Sequence, residues 1–314
     1  MIFSTVLTLT VGAIGYETYK NYQYERWKSY YAAEGNWYGK LTVPSSNKKL
    51  MWEYRPNSRY TDHKGRTIAT NRYGFRGKDK DLSTKQPSTK RIAFLGDSAT
   101  LGLFAREEDT FVRKFEYYAN QRERKFSVEA LNCAVDGYHA LQLLELLKVK
   151  VLQLSPDMVV YVMHLNDFDF EFSSSQKTLY FQKPDSFLLN DIRNTIWPIF
   201  YGFHKYSFQR NKDRVFLAVK EMSNLLQKSD IAFVVVVLPV FPMKQENFSN
   251  YRHWKLHEAI RQFLLKERMK SMDLAFVFKD EKQPPKVFAH DIWHLNRTGH
   301  DYVARNMVPF LLEE

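Results

Sequence analysis

The 314-residue chain has a single cysteine, Cys133. No internal disulfide can form, and this thiol lies in an apolar, strand-like run. There a buried, inert role fits better than a nucleophile. No cysteine–histidine cluster has zinc spacing, so no structural zinc is expected, and no cofactor is called for. Internal repeats and low-complexity tracts are absent. The apolar N-terminal run stops short of the roughly 20 residues that a full membrane span takes. A basic stripe is missing too: the formal net charge is +11, but Lys and Arg are scattered. Nucleic-acid binding wants clustered charge or a recognisable module, so it is not expected. Contact with an anionic membrane surface or an acidic glycan stays compatible with the charge.

What is present starts with aromatic crowding. After the apolar segment Met1–Tyr16 come Tyr19, Tyr22, Tyr24, Trp27, Tyr30 and Tyr31, interleaved with Lys20, Arg26 and Lys28. Amphipathic rings and long cations suit a membrane interface. Residues 1–33 are therefore expected to be an N-terminal membrane anchor or interfacial helix. A core helix that opens the domain is the competing reading. A cleaved signal is disfavoured, because the first residues lack Lys and Arg and no small-x-small site precedes the tyrosines. Residues 34–90 read as an irregular lead-in. Pro44-Ser-Ser-Asn and Pro56-Asn-Ser are turn chemistry, Thr67–Thr70 is a candidate short strand, and Asn71-Arg-Tyr-Gly-Phe-Arg-Gly is a tight loop packed on the domain. Lys78–Lys90 reads as a surface linker.

From Arg91 the pattern alternates. Strands are expected at Arg91–Gly96, Phe126–Asn132, Met158–Met163, Ile231–Leu238 and Leu274–Phe278. Helices are expected at Glu107–Gln121, Ala140–Leu154, Asp213–Lys228, Tyr251–Met269 and Asn296–Leu312, the last capped by Asn296. Such alternation implies a parallel sheet with helices on both faces. One connection, residues 168–212, is long for a compact domain. Its second half carries Trp197, Phe200, Tyr201, Phe203, Tyr206 and Phe208. A small packed subdomain is the plainer reading, and a lid or a membrane-touching surface is the functional one.

Four stretches fall beyond strand ends or before the closing helix, the edge where open α/β sheets build sites. They are Gly96-Asp97-Ser98, Asp136-Gly137-Tyr138, His164-Leu165-Asn166-Asp167 and Asp291-Ile292-Trp293-His294. Ser98 sits at a strand-to-helix turn, with its N–H near a helix N-terminus. Gly96 is expected to permit a tight turn and a close approach by substrate. A serine hydroxyl needs a base to be a good nucleophile, and His294 can be that base. Asp291 can bond the other imidazole nitrogen and fix its tautomer. The N–H groups of Ser98 and Gly137 and the amide of Asn166 can converge on an oxyanion. Taken singly, each is as readily a turn, a cap or a surface pair.

Together, in this order, the blocks resemble the SGNH hydrolase superfamily, also called GDSL-type esterases and lipases, in its membrane-anchored bacterial form. The resemblance runs from about Arg91 to the C-terminus and matches Ser98, Gly137, Asn166 and His294, with Asp291 in the Asp-x-x-His block. The Asn71–Gly77 segment also resembles a stretch that precedes the first block in some bacterial members. The resemblance implies a three-layer α/β/α sandwich with a flavodoxin-like parallel sheet, and a metal-free serine mechanism. Two positions depart from the pattern: Ala99 stands where the GDSL name has Leu, and His164 stands where the third block has Gly. A bulky polar side chain at 164 is expected to narrow the pocket or bond a substrate.

The expected function is a serine esterase or deacylase that removes an O-acyl group, acetyl first, from an acyl-ester substrate, a glycan ester being one candidate. The alternatives are an O-acyltransferase on an envelope polysaccharide, using the same acyl-enzyme, and a non-catalytic binding protein on the same fold. Cations following the apolar run argue for a cytoplasmic domain. Resemblance to anchored members that act on envelope glycans argues for the outside, and extracytoplasmic exposure is the expectation adopted.

Overall fold

The computed structural model describes residues 2–32, 37–62, 64–79, 81–170, 183–192 and 203–312. Among them are nine strands: β1 (Thr42–Pro44), β2 (Trp52–Tyr54), β3 (Arg59–Thr61), β4 (Thr67–Ala69), β5 (Thr89–Leu95), β6 (Ser127–Asn132), β7 (Met158–Met163), β8 (Ala232–Val237) and β9 (Lys270–Asp273). The last five form one parallel sheet in the order β6-β5-β7-β8-β9. Every residue of β7 is apolar and buried, as a strand covered on both faces should be. Helix Phe111–Asn120 packs with Arg297–Leu312, and helix Ala140–Leu146 packs with Phe203–Lys228. These pairs flank the sheet and complete the α/β/α sandwich. The chain steps from β5 outward to β6, then crosses back to β7. The strand order therefore reverses beside β5, and a crevice opens there at the strands' C-terminal ends.

Local sequence explains most boundaries. Phe111, Phe115 and Ala119 bury one helical face, with Phe94 of β5 edge-on to both rings at 6.1 and 5.3 Å. The Thr110 hydroxyl caps this helix on the Arg113 N–H, so Glu107–Asp109 is a separate 3-10 turn rather than its first turn. The expected helix 140–154 changes pitch after Leu146, through a wider turn at Leu147–Val151 and a 3-10 turn at Leu152–Leu154. The expected strand Leu274–Phe278 is a helix, Leu274–Lys279. The Asp273 carboxylate accepts from the Ala275 N–H and starts that helix, while the edge strand is the more polar Lys270–Asp273 before it. Asn296 caps the closing helix as expected, on the Gly299 N–H at 3.0 Å.

The lead-in is more ordered than its turn-rich sequence implies. β1–β2 and β3–β4 are antiparallel hairpins. Trp52, Tyr54, Ile68, Phe75 and Leu82 join the main core. The expected linker is pinned by Arg91, which donates to the carbonyls of Leu82, Thr84 and Leu154 and pairs with Glu129. Of the long connection 168–212, Trp197, Phe200 and Tyr201 lie outside the described residues. Its last part belongs to helix Phe203–Lys228, which starts ten residues earlier than expected. There Phe208 packs on Phe168 at 4.6 Å.

The N-terminal helix runs unbroken from Ile2 to Ala32. Its middle docks on the short helix Phe187–Asp191. Glu17 accepts from Ser186 Oγ and from the N–H groups of Phe187 and Leu188, while Tyr16 and Lys20 reach Asp191. No helix among the described residues is long and apolar enough to cross a membrane. A membrane-spanning form of the expected N-terminal anchor, a transmembrane helix, is thus not found there: charged residues enter at Glu17 and Lys20, before a spanning length is reached.

Candidate active site

β5 ends at Leu95, and the chain turns through Gly96 and Asp97 into the four-residue helix Ser98–Leu101. Asp97 caps that helix on the Ala99 N–H at 2.9 Å. Packing within the chain leaves no room for a side chain at Gly96. A Cβ on it would lie 2.1 Å from Thr100 Oγ1 and 2.7 Å from Thr100 Cβ. Ser98 is left at the mouth of the crevice, 8% exposed.

The closing segment brings His294 to it. His294 Nε2 lies 2.9 Å from Ser98 Oγ. His294 Nδ1 faces both oxygens of Asp291, at 2.9 and 2.8 Å. Asp291 also accepts from the N–H groups of Trp293 and His294, at 2.7 and 2.9 Å. Burial opposes the Asp291 charge. The imidazole and those two N–H groups outweigh it and hold the carboxyl at about 2. Burial also opposes a charged His294, but Asp291, with Asp97 and Asp136 behind it, prevails and raises the imidazole above its ordinary value. The carboxylate fixes the tautomer: Nδ1 carries a proton towards Asp291, and neutral Nε2 presents its lone pair to Ser98.

The other two expected residues reach the same place. The segment after β6 continues beside β5, with Cys133 and Val135 donating to the carbonyls of Phe94 and Gly96. Gly137 lies two residues past Val135, as Ser98 lies two past Gly96. Its φ of +75° turns the chain there. Among the described residues, neither the Ser98 N–H nor the Gly137 N–H has an acceptor. Asn166, in the turn after β7, donates through Nδ2 to Asp97 Oδ2 at 2.6 Å. Its second amide proton is left for the crevice.

His164 does not narrow the pocket. It is 1% exposed and edge-on to Trp293 at 5.1 Å. Its Nε2 faces the Pro239 carbonyl at 3.1 Å and its Nδ1 faces Asn166 Oδ1 at 3.2 Å. The ring therefore pins the Asn166 amide from one side while Asp97 pins it from the other.

Several supports were not legible as site residues. The β1–β2 hairpin clamps the Gly137 turn: Trp52 Nε1 donates to the Asp136 carbonyl at 3.3 Å, and the Tyr54 hydroxyl accepts from the Asp136 N–H at 3.2 Å. Tyr138 returns a bond to the Trp52 carbonyl. Arg76, buried in the glycine-bearing loop, donates to the carbonyls of Leu101, Gly102 and Ala105 at 2.8, 2.7 and 2.8 Å. Burial pulls its pKa down to about 10, which leaves it charged at neutral pH. The segment it holds carries Phe104, whose ring stands edge-on to His294 at 4.9 Å and meets His290 at 4.8 Å. Nothing in the spacing of these residues announces them. The one signal was the pair of glycines around Phe75 and Arg76.

A family model described as GDSL-like lipase/acylhydrolase matches residues 94–302. The chain belongs to that family of serine hydrolases acting on ester bonds. No curated protein matches it. Among solved structures, a variant of an acetyl-xylooligosaccharide esterase from Geobacillus is 16% identical, over 74% of this chain and 98% of that one, with a TM-score of 0.51. An acetyl xylan esterase is 16% identical over 71% of this chain and 100% of its own, at 0.47. A two-domain esterase active on acetylated mannans is 13% identical over 71% and 49%, at 0.46. At these identities the likeness is one of fold.

Proposed function

We propose that the chain removes a short O-acyl group, acetyl, from a carbohydrate ester through an acyl-enzyme on Ser98. The observation that carries this is the unbroken line Ser98 Oγ, His294 Nε2, His294 Nδ1, Asp291. His294 Nε2 takes the Ser98 proton as Oγ attacks the ester carbonyl. The tetrahedral oxyanion accepts from the Ser98 and Gly137 N–H groups and the second Asn166 amide proton. Collapse breaks the bond to the alcohol, which leaves with the proton held by His294. Water, deprotonated by the same nitrogen, attacks the acyl carbonyl and releases acetate and Ser98. The reading of a carbohydrate ester draws on family membership and on the acetyl-glycan esterase of matching fold.

Passing the acyl group to a sugar hydroxyl instead of water is the transferase form of the same reading. Acetate release from an acetylated oligosaccharide, with and without an unacetylated glycan acceptor, separates the two. Acetate release that Ser98→Ala abolishes without unfolding the protein supports the assignment. Undiminished release by that variant refutes it.

The N-terminal segment supports membrane association. Val6, Leu7, Leu9, Val11 and Ile14 are exposed and point round the helix rather than along one stripe, and Tyr19, Tyr22, Trp27 and Tyr30 follow, exposed as well. An extracytoplasmic catalytic domain goes with a glycan substrate. Flotation with vesicles, with and without residues 2–15, tests the association; equal flotation of both forms overturns it.

A further inference from the structure

Between the β3–β4 hairpin and the segment that follows Phe104 lies a cleft of about 340 Å³ that the serine chemistry does not use. Its lining is Arg59, Gly65, Thr67, Ala69, Arg106, Glu107 and Glu108. One wall is the β3–β4 hairpin, which precedes the family-matching residues 94–302. The other wall is the segment leading out of Phe104. The two walls are tied at the site itself. Arg66, between lining residues Gly65 and Thr67, lies over the Phe104 ring at 5.2 Å, and Phe104 stands edge-on to His294. Arg66 and Phe104 thus link the hairpin to His294.

The side chains define what the cleft accepts. Among the described residues, the side chains of Arg59, Arg106 and Glu108 make no ion pair or hydrogen bond, whereas Glu107 is shared with Arg113 at 3.6 Å. Ala69 is the only apolar side chain in the lining, so an acyl tail gains little there. Two carboxylates sit with the two guanidiniums, so a simple anion is repelled as well as attracted. A ligand that both accepts from guanidinium and donates to carboxylate fits all three unengaged groups. Adjacent hydroxyls of a sugar ring do both.

We infer that this cleft is a saccharide subsite, one that holds the sugar neighbouring the acylated one and so sets glycan preference. The inference rests on the carbohydrate-ester reading of Ser98, and it assigns the lead-in hairpin to substrate recognition. Charge-assisted hydrogen bonds lost from such a contact weaken binding by about tenfold or more.

The test uses the full chain carrying Ser98→Ala, so that binding is read without turnover. Titration with xylo-, manno- and N-acetylglucosamine oligosaccharides, followed by calorimetry, should find one series that binds. Arg59→Ala and Arg106→Ala should each weaken it about tenfold, and Arg106→Lys should recover part of that loss. With Ser98 restored, the penalty should fall on KM for the acetylated form of that series, and should exceed by about tenfold any effect on a small acetate ester. Inorganic phosphate should not compete. Binding by none of the glycans, binding indifferent to both arginines, or competition by phosphate would each overturn the subsite. Loss of small-ester turnover in the native chain would instead overturn the esterase reading, and the Ser98→Ala titration keeps those failures apart.

Discussion

Replacing Arg76 with Met keeps the stem and removes the guanidinium, which exposes how the Ser98 helix is held. Three carbonyls lie within 2.7–2.8 Å of that guanidinium. Hydrogen bonds to a charged donor contribute ~1.5–3 kcal/mol each, a gross sum that the cost of burying the cation cuts by several kcal/mol. The carbonyls are not equally stranded by its loss. Leu101 O keeps Asn132 Nδ2 at 3.4 Å, and Gly102 O keeps the Ala105 N–H at 2.9 Å. Among the described residues, Ala105 O keeps no other donor. The net expectation is a loss of roughly 2–4 kcal/mol. The urea midpoint should fall with little change in slope. Ester turnover by the protein that remains folded should fall about tenfold or more, because Phe104 rides on the loosened segment against His294. Arg76→Lys should recover little, since one ammonium cannot fork to three carbonyls. A loss below about 1 kcal/mol, or full recovery with Lys, would refute this account of Arg76.

The remaining expectations concern the centre itself. Turnover should fall as pH drops through the raised pKa of His294, because only the neutral imidazole accepts the Ser98 proton. Asp291→Asn should move that acid limb to lower pH and cut turnover by about 10²- to 10⁴-fold; an acid limb that stays in place would speak against Asp291 as the cause of the shift. His164→Ala should cost about 2–4 kcal/mol, since the oxygen that accepts from the ring N–H loses its donor and a void opens. It should slow turnover at least about tenfold by freeing the Asn166 amide, whereas unchanged turnover at lowered stability would make His164 a packing residue only. Gly96→Ala should destabilise by about 3 kcal/mol or more, and adding Thr100→Ala should rescue it in part, because Thr100 Cβ also stands in the way. Full stability of the single variant would contradict the clash.

The sequence is most readable where one physical term dominates. β7 was legible to the residue because burial on both faces leaves a continuous apolar run. Ser98, His294 and Asp291 were legible because the chemistry restricts residue type and a strand-end position restricts place. Leu274–Phe278 misled because an apolar run serves a buried helix as well as a strand. The deciding group, the Asp273 cap, is one carboxylate outside it. Arg76 and the Trp52–Tyr54 clamp were hidden for a different reason. Their partners are backbone carbonyls and N–H groups tens of residues away, and those carry no sequence identity. Gly96 was read as permitting a tight turn, but the neighbour that excludes a side chain there, Thr100, has no mark in the sequence. His164 was seen as a departure, but only its contact with the Pro239 carbonyl tells that it faces inward.

The central claim is that Ser98 is an activated nucleophile. Intact mass of the full chain after exposure to a serine-directed fluorophosphonate tests it most directly, with Ser98→Ala and His294→Ala alongside. A single adduct on the native chain, absent from the Ser98 variant and strongly slowed in the His294 variant, is the result expected. A folded native chain that stays unlabelled, or an adduct that survives Ser98→Ala, would contradict it.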